Sequence, residues 1–112
     1  MIHNDAERIK AALREIQGVK CVTRGWPKNF EKLPTIAISK ASDRPADFRD
    51  DREYVAELEY YIRIFTNRAS EADRIAEEVD TIMEGLRYVR TYSYDDDDGD
   101  VRMDALRYRT IV

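Results

Sequence analysis

Residues 53–66 read Glu-Tyr-Val-Ala-Glu-Leu-Glu-Tyr-Tyr-Ile-Arg-Ile-Phe-Thr, with Tyr54, Ala56, Leu58, Tyr60, Ile62 and Ile64 on one parity and Glu57, Glu59 and Arg63 on the other. A period of two over this length marks a strand, because successive side chains of a strand point to opposite faces. One face therefore belongs to a core, which places Tyr54 and Tyr60 inside. Tyr61 shares its face with Glu57, Glu59 and Arg63 and is a candidate for an interface.

Two helical stretches are available to cover the apolar face. Asn4 or Asp5 can cap a helix over residues 5–17, whose apolar positions Ala6, Ile9, Leu13 and Ile16 recur at helical spacing, with Gly18 ending it. Ser70 with Asp73 forms a variant capping box ahead of a second helix, residues 71–85, striped by Ala72, Ile75, Ala76, Val79, Ile82 and Met83 and closed by Gly85. Between the helices, residues 19–23 and 35–39 are short β-rich segments separated by Gly25-Trp26-Pro27. After the second helix, residues 88–94 and 101–112 read as a hairpin, its polar tip formed by Asp95 to Asp98 with Gly99 and Asp100. In the last strand Val101 and Met103 share one parity and Leu106, Tyr108 and Val112 the other, a change of face that predicts a bulge near Ala105. The order α-β-β-β-α-β-β predicts an α+β fold, with two amphipathic helices packed on one face of a mainly antiparallel sheet. At 112 residues the chain, 1–112, is one domain.

Charge and residue usage narrow the function classes. With 19 basic against 23 acidic residues and a net charge of −4, the chain lacks the basic footprint that nucleic acid or an anionic membrane requires. Arg87, Arg90, Arg102, Arg107 and Arg109 could form a basic stripe, but their acidic neighbours suit ion pairs between subunits better. A single cysteine, Cys21, allows no internal disulfide, and a single histidine, His3, leaves no ordinary zinc constellation. With no apolar leader or span, the expected setting is soluble and reducing.

Two charged segments stand out. Residues 40–52, Lys-Ala-Ser-Asp-Arg-Pro-Ala-Asp-Phe-Arg-Asp-Asp-Arg, have no period and read as an exposed loop, longer than most connections. The acidic run Asp95, Asp96, Asp97 and Asp98 fails as a calcium loop. Aligning Gly99 with the turn glycine puts Tyr94 at the first ligand position and Ala105 at the last, and strands rather than helices flank it. No nucleophile with a base is present, and the four glycines are isolated at element ends, so no phosphate cradle forms. The expectation is a chain that is not an enzyme and takes no cofactor or metal.

Nearly the whole chain resembles the tail terminator, or tail completion, family of long-tailed bacteriophages and prophages. The matching features are the short first helix, the segment Leu33-Pro34-Thr35-Ile36-Ala37-Ile38, the charged loop and the long strand ending Ile62-Arg63-Ile64-Phe65-Thr66. The helix ending Ile82-Met83-Glu84-Gly85-Leu86 and the closing hairpin ending Leu106-Arg107-Tyr108-Arg109 complete the match. The resemblance implies a ring, typically of six copies, on the head-proximal end of the tail tube, which stops polymerisation and presents a surface to the head connector. It implies as partners the chain itself, the tail tube protein and a head-completion or connector protein, with no nucleic acid or membrane. The implied location is the bacterial cytoplasm during assembly and then the virion tail. Under this reading Asp47, Arg49 and Asp50 of the charged loop, Tyr61, and Asp95, Asp96, Asp97 and Asp98 are the candidate interface residues, and charge reversal at Asp47, Arg49 or Asp97 disrupts contacts. The alternatives are a head-to-tail joining or minor tail protein and, from another class, a small regulatory module that binds a protein or ligand.

Overall fold

The computed structural model describes residues 3–49 and 52–111, with side chains described for all of these except 45–49, 52–55 and 98. Along the chain lie α1 (Ala6–Leu13), β1 (Cys21–Arg24), β2 (Thr35–Arg49), β3 (Arg52–Thr66), α2 (Ala69–Gly85), β4 (Val89–Asp98) and β5 (Val101–Ile111). The strands form one five-stranded sheet in the order β1-β2-β3-β5-β4. Only β1 and β2 run parallel; every other neighbouring pair is antiparallel. The fold is therefore α+β in the predicted order.

Both helices pack on the same face of the sheet, and the core lies between the two layers. Ile9 and Leu13 of α1 and Ile75, Val79 and Met83 of α2 are buried against Ile36 and Ile38 of β2, Leu58, Tyr60, Ile62 and Ile64 of β3, and Leu106 and Tyr108 of β5. Each such side chain contributes roughly 1.5–3 kcal/mol of apolar burial. Tyr60 and Tyr108 enter this core whole because their hydroxyls have partners: Tyr60 Oη accepts from the Asp5 backbone N–H at 2.9 Å, and Tyr108 Oη donates to Asp80 at 3.0 Å.

Several local expectations are corrected. The segment over residues 40–52 is not a loop, since β2 continues to Arg49 and β3 starts at Arg52. Within β2, β1 pairs only with Thr35–Ile38, and β5 reaches along β3 only to Glu57, so the remainder is a two-stranded ribbon. A two-stranded ribbon outside the five-stranded part of the sheet is under no demand for a continuous apolar face, which is why no period shows in the sequence. Register shifts between Lys40 and Ser42 and around Asp47 interrupt the alternation further.

The acidic run is likewise strand rather than tip. Asp95 to Asp98 pair with Asp104 to Val101, and only Gly99, at φ +65°, and Asp100 make the turn. No bulge occurs at Ala105, because β5 stays in unbroken register with β3 from Arg102 to Ile111. Its parity change has another cause: Val101 and Met103 belong to a second apolar cluster on the other side of the sheet. The bulge is in β4, where Thr91 is inserted between Arg90 and Tyr92. It turns Tyr88 into the core and Tyr92 and Tyr94 outward, although all three share one parity.

Helix ends also differ. α1 stops at Leu13, and turns lead from it to Gly18, at φ +90°. Ser70 is inside α2, whose N-cap is the extended Arg68 without a side-chain cap, so the capping box does not form. At the other end Gly85 is helical, and the left-handed residue is Arg87, at φ +74°. Bonds from Tyr88 N–H to Met83 O and from Arg87 N–H to Glu84 O complete a Schellman motif there.

Candidate protein interface on the helix-free face of the sheet

Both helices take one side of the sheet, and among the described residues no helix or strand layer covers the other side. Alternation sends Glu57, Glu59, Tyr61, Arg63 and Phe65 of β3 to this side, with Met103, Ala105, Arg107 and Arg109 of β5 beside them. A parallel pair of adjacent strands needs a return connection. Residues 25–34 make that return across the helix-free face, and Trp26 and Phe30 pack on the Phe65 ring with centroids 5.6 and 5.0 Å away. The β1–β2 topology thus explains why two aromatic side chains from a loop cover one end of this face.

The middle of the face is a ladder of cations, rings and carboxylates. The Arg63 guanidinium stacks on Trp26 at 5.0 Å and on Tyr61 at 4.5 Å, and the Arg107 guanidinium also lies over Tyr61, 5.3 Å from the ring centroid. Ala37 and Ala105 flank Arg63 in register, and both are fully buried beneath this layer. Arg107 also pairs with Glu59, itself buried. Farther along, Glu57 sits between Arg44 at 3.0 Å and Arg109 at 3.1 Å. The hydrogen bond from Arg44, helped by Glu59 and by the charge of Arg109, holds the Glu57 carboxyl below its ordinary range despite partial burial.

Among the described residues, every large apolar side chain that stays exposed belongs to this face: Trp26, Phe30, Val89, Tyr92, Tyr94 and Ile111. Val89 is 68% and Trp26 60% exposed, so both leave much of their apolar surface uncovered. Trp26 and Phe30 form, with Phe65, Val101, Met103 and Asp96, an apolar cleft of about 420 Å³. Tyr92 and Tyr94 are in tilted contact along β4, their centroids 5.6 Å apart, linking that end to Val89 and Ile111 at the other. Concentration of exposed apolar and aromatic groups on one side is what a protein interface presents.

The expected interface residues are scattered around this surface. Tyr61 lies at its centre, in contact with two guanidiniums. Asp96 lines the cleft, whereas Asp95 lies on the helix side and accepts a hydrogen bond from Arg102 at 2.9 Å. Asp97 pairs in register with Arg102 and shares that helix side, and Asp98 pairs in register with Val101 at the end of β4. Asp47 and Arg49 belong to the ribbon, in register with Val55 and Arg52, and Asp50 lies outside the described residues. The supposed basic stripe divides between the two faces: Arg107 and Arg109 are on the open side, while Arg90 and Arg102 pair with Asp80 and with Asp95 and Asp104 on the helix side. These ion pairs are made within one chain.

Residue usage, with seven tyrosines and Trp26, raised the question of a binding surface, but patterning placed only Tyr61 on it. Val89, Tyr92 and Tyr94 were concealed by the Thr91 bulge, and Trp26 and Phe30 by a loop whose path depends on strand order. Arg63 beside Tyr61 on the polar parity of the long strand was the available signal. Among the described residues, no group of three His, Cys, Asp or Glu side chains is placed to hold a metal ion, and no helix is long and apolar enough to cross a membrane.

The sequence matches no protein-family model and no curated protein. The fold does have solved counterparts. It is similar to a chain in the virion of a native gene transfer agent (GTA) particle, with a TM-score of 0.58, 17% sequence identity, and coverage of 93% of this chain and 90% of that one.

Proposed function

We propose that this chain is a non-catalytic virion assembly protein of the tail terminator type. Copies form a ring at the head-proximal end of a tail tube, end its growth and offer a surface to a head-side connector protein. The observation that carries the reading is the fold likeness, over nearly all of both chains, to a component of a gene transfer agent virion. The helix-free face supports it, since an assembly subunit needs apolar and aromatic surface left over after its own core is complete. Its partners are further copies of itself, the tube protein and the connector, and its places are the bacterial cytoplasm during assembly and then the virion tail. The same likeness favours a second reading, a head-to-tail joining protein that binds tails already ended.

The test is electron microscopy of isolated tail tubes mixed with the purified chain, followed by addition of tube protein. Termination predicts density at one tube end and no further growth there. Growth that continues past a bound chain favours joining, and tubes with bare ends contradict both.

A further inference from the structure

We propose that the helix-free face is a contact between copies of this chain, in which the Trp26, Phe30 and Met103 cleft of one copy receives the Val89, Tyr92 and Ile111 patch of another. This deepens the assembly reading and rests on it. The exposed apolar groups are divided between the two ends of one face: the cleft at the Phe65–Met103 end and the patch at the Glu57–Ile111 end, with Tyr94 between them.

Charge distinguishes the ends and selects the occupant. Asp96 is the charged residue lining the cleft, and the neighbouring cation, Arg63, is stacked against Trp26 and Tyr61. At the opposite end, three guanidiniums, Arg44, Arg107 and Arg109, face two carboxylates, Glu57 and Glu59, which leaves a positive excess beside Val89 and Ile111. Cleft against patch therefore joins apolar surface to apolar surface and Asp96 to the Arg109 end. Patch against patch would instead set arginines against arginines, an arrangement that costs affinity. The central ladder does not obstruct the contact, because Arg63 and Arg107 are already stacked on Tyr61 and Arg107 is paired with Glu59. A second copy supplies both complementary halves without a further component.

The test places single cysteines in the full chain with Cys21→Ser: Val101→Cys at the cleft and Val89→Cys at the patch. A short bifunctional maleimide is applied to the chains in solution and on isolated tails. The proposal expects a covalent dimer when the two variants are mixed and at least tenfold less from either alone. Asp96→Arg or Arg109→Glu, each added to both cysteine chains, lowers the yield at least tenfold. Adding Asp96→Arg to the Val101→Cys chain and Arg109→Glu to the Val89→Cys chain restores it, which also shows that both variants fold. Val101→Cys linking to itself, or to tube protein alone, overturns the proposal. So does absence of the mixed dimer on tails that the chain still caps, and in that case the assembly reading stands. A chain that never associates with tails defeats the assembly reading, whatever the cross-links in solution.

Discussion

Asp5 joins the first helix to the sheet and to the segment after the second helix. Its carboxylate accepts from Arg8 at 2.7 Å and from the Tyr88 hydroxyl at 2.7 Å, while its backbone N–H donates to Tyr60. The Arg8 bond, aided by Tyr88, holds the Asp5 carboxyl below its ordinary value against partial burial. A lowered folded value means that this stability is fully present above about pH 4 and is lost as pH falls through the folded value. Tyr88→Phe should therefore cost about 1.5–3 kcal/mol at pH 7, and the difference from the parent should shrink in acid. Urea unfolding at pH 7 and pH 3 checks both.

Asp104 has the opposite sign. Burial raises its carboxyl value, and Arg102 at 3.4 Å only partly opposes this. The folded state thus disfavours the charged form, and the penalty grows as pH rises from about 4 through the raised value. Asp104→Asn should match or exceed the parent in stability at pH 7 and lose that relative advantage below about pH 4. Melting temperatures across that range decide it. At Arg87 the backbone is left-handed, a conformation that disfavours side chains other than glycine by roughly 1–2 kcal/mol. Arg87→Gly should raise stability by about 1 kcal/mol, measured by chemical denaturation.

At the level of elements, β4 depends on a single extra residue. Removing Thr91 would leave Arg90 opposite Tyr108 and Tyr92 opposite Arg107, the partners they already have. Deletion of Thr91 should then keep the fold, with a loss below about 2 kcal/mol, whereas deletion of Ser93 would turn Tyr94 and the residues after it to the wrong face. Circular dichroism with thermal unfolding separates the two outcomes. The bulge also shows where reading the sequence stops. The apolar faces of α1, α2 and the 56–64 part of β3 were legible because helices and sheet cover one another there, so periodicity and burial coincide. The Tyr54 side chain, also expected in the core, lies outside the described side chains. The β2–β3 ribbon was not legible, since past Ile38 and Glu57 no neighbouring strand among the described residues pairs with its outer edges. The parity change in β5 was visible as Val101 and Met103 against Leu106 and Tyr108, but its cause was misread. A strand with apolar contacts on both sides gives the same pattern as a bulged strand with one.

For the whole molecule, the charge pattern matters less as net charge than through its placement. The acidic run read as one polar hairpin tip but is divided by strand alternation, so Asp95 helps to fix Arg102 while Asp96 faces the open side. What remains for a partner is a sheet face with two apolar ends on a body 53 Å in its longest dimension. The central claim is that copies of this body end a growing tube. The most direct measurement is the tail-length distribution, by electron microscopy, of particles from the producing phage or prophage with this gene deleted. The account predicts over-long tails without heads, restored to parental length by the gene supplied separately. Infectious particles with tails of parental length in the deletion would contradict it.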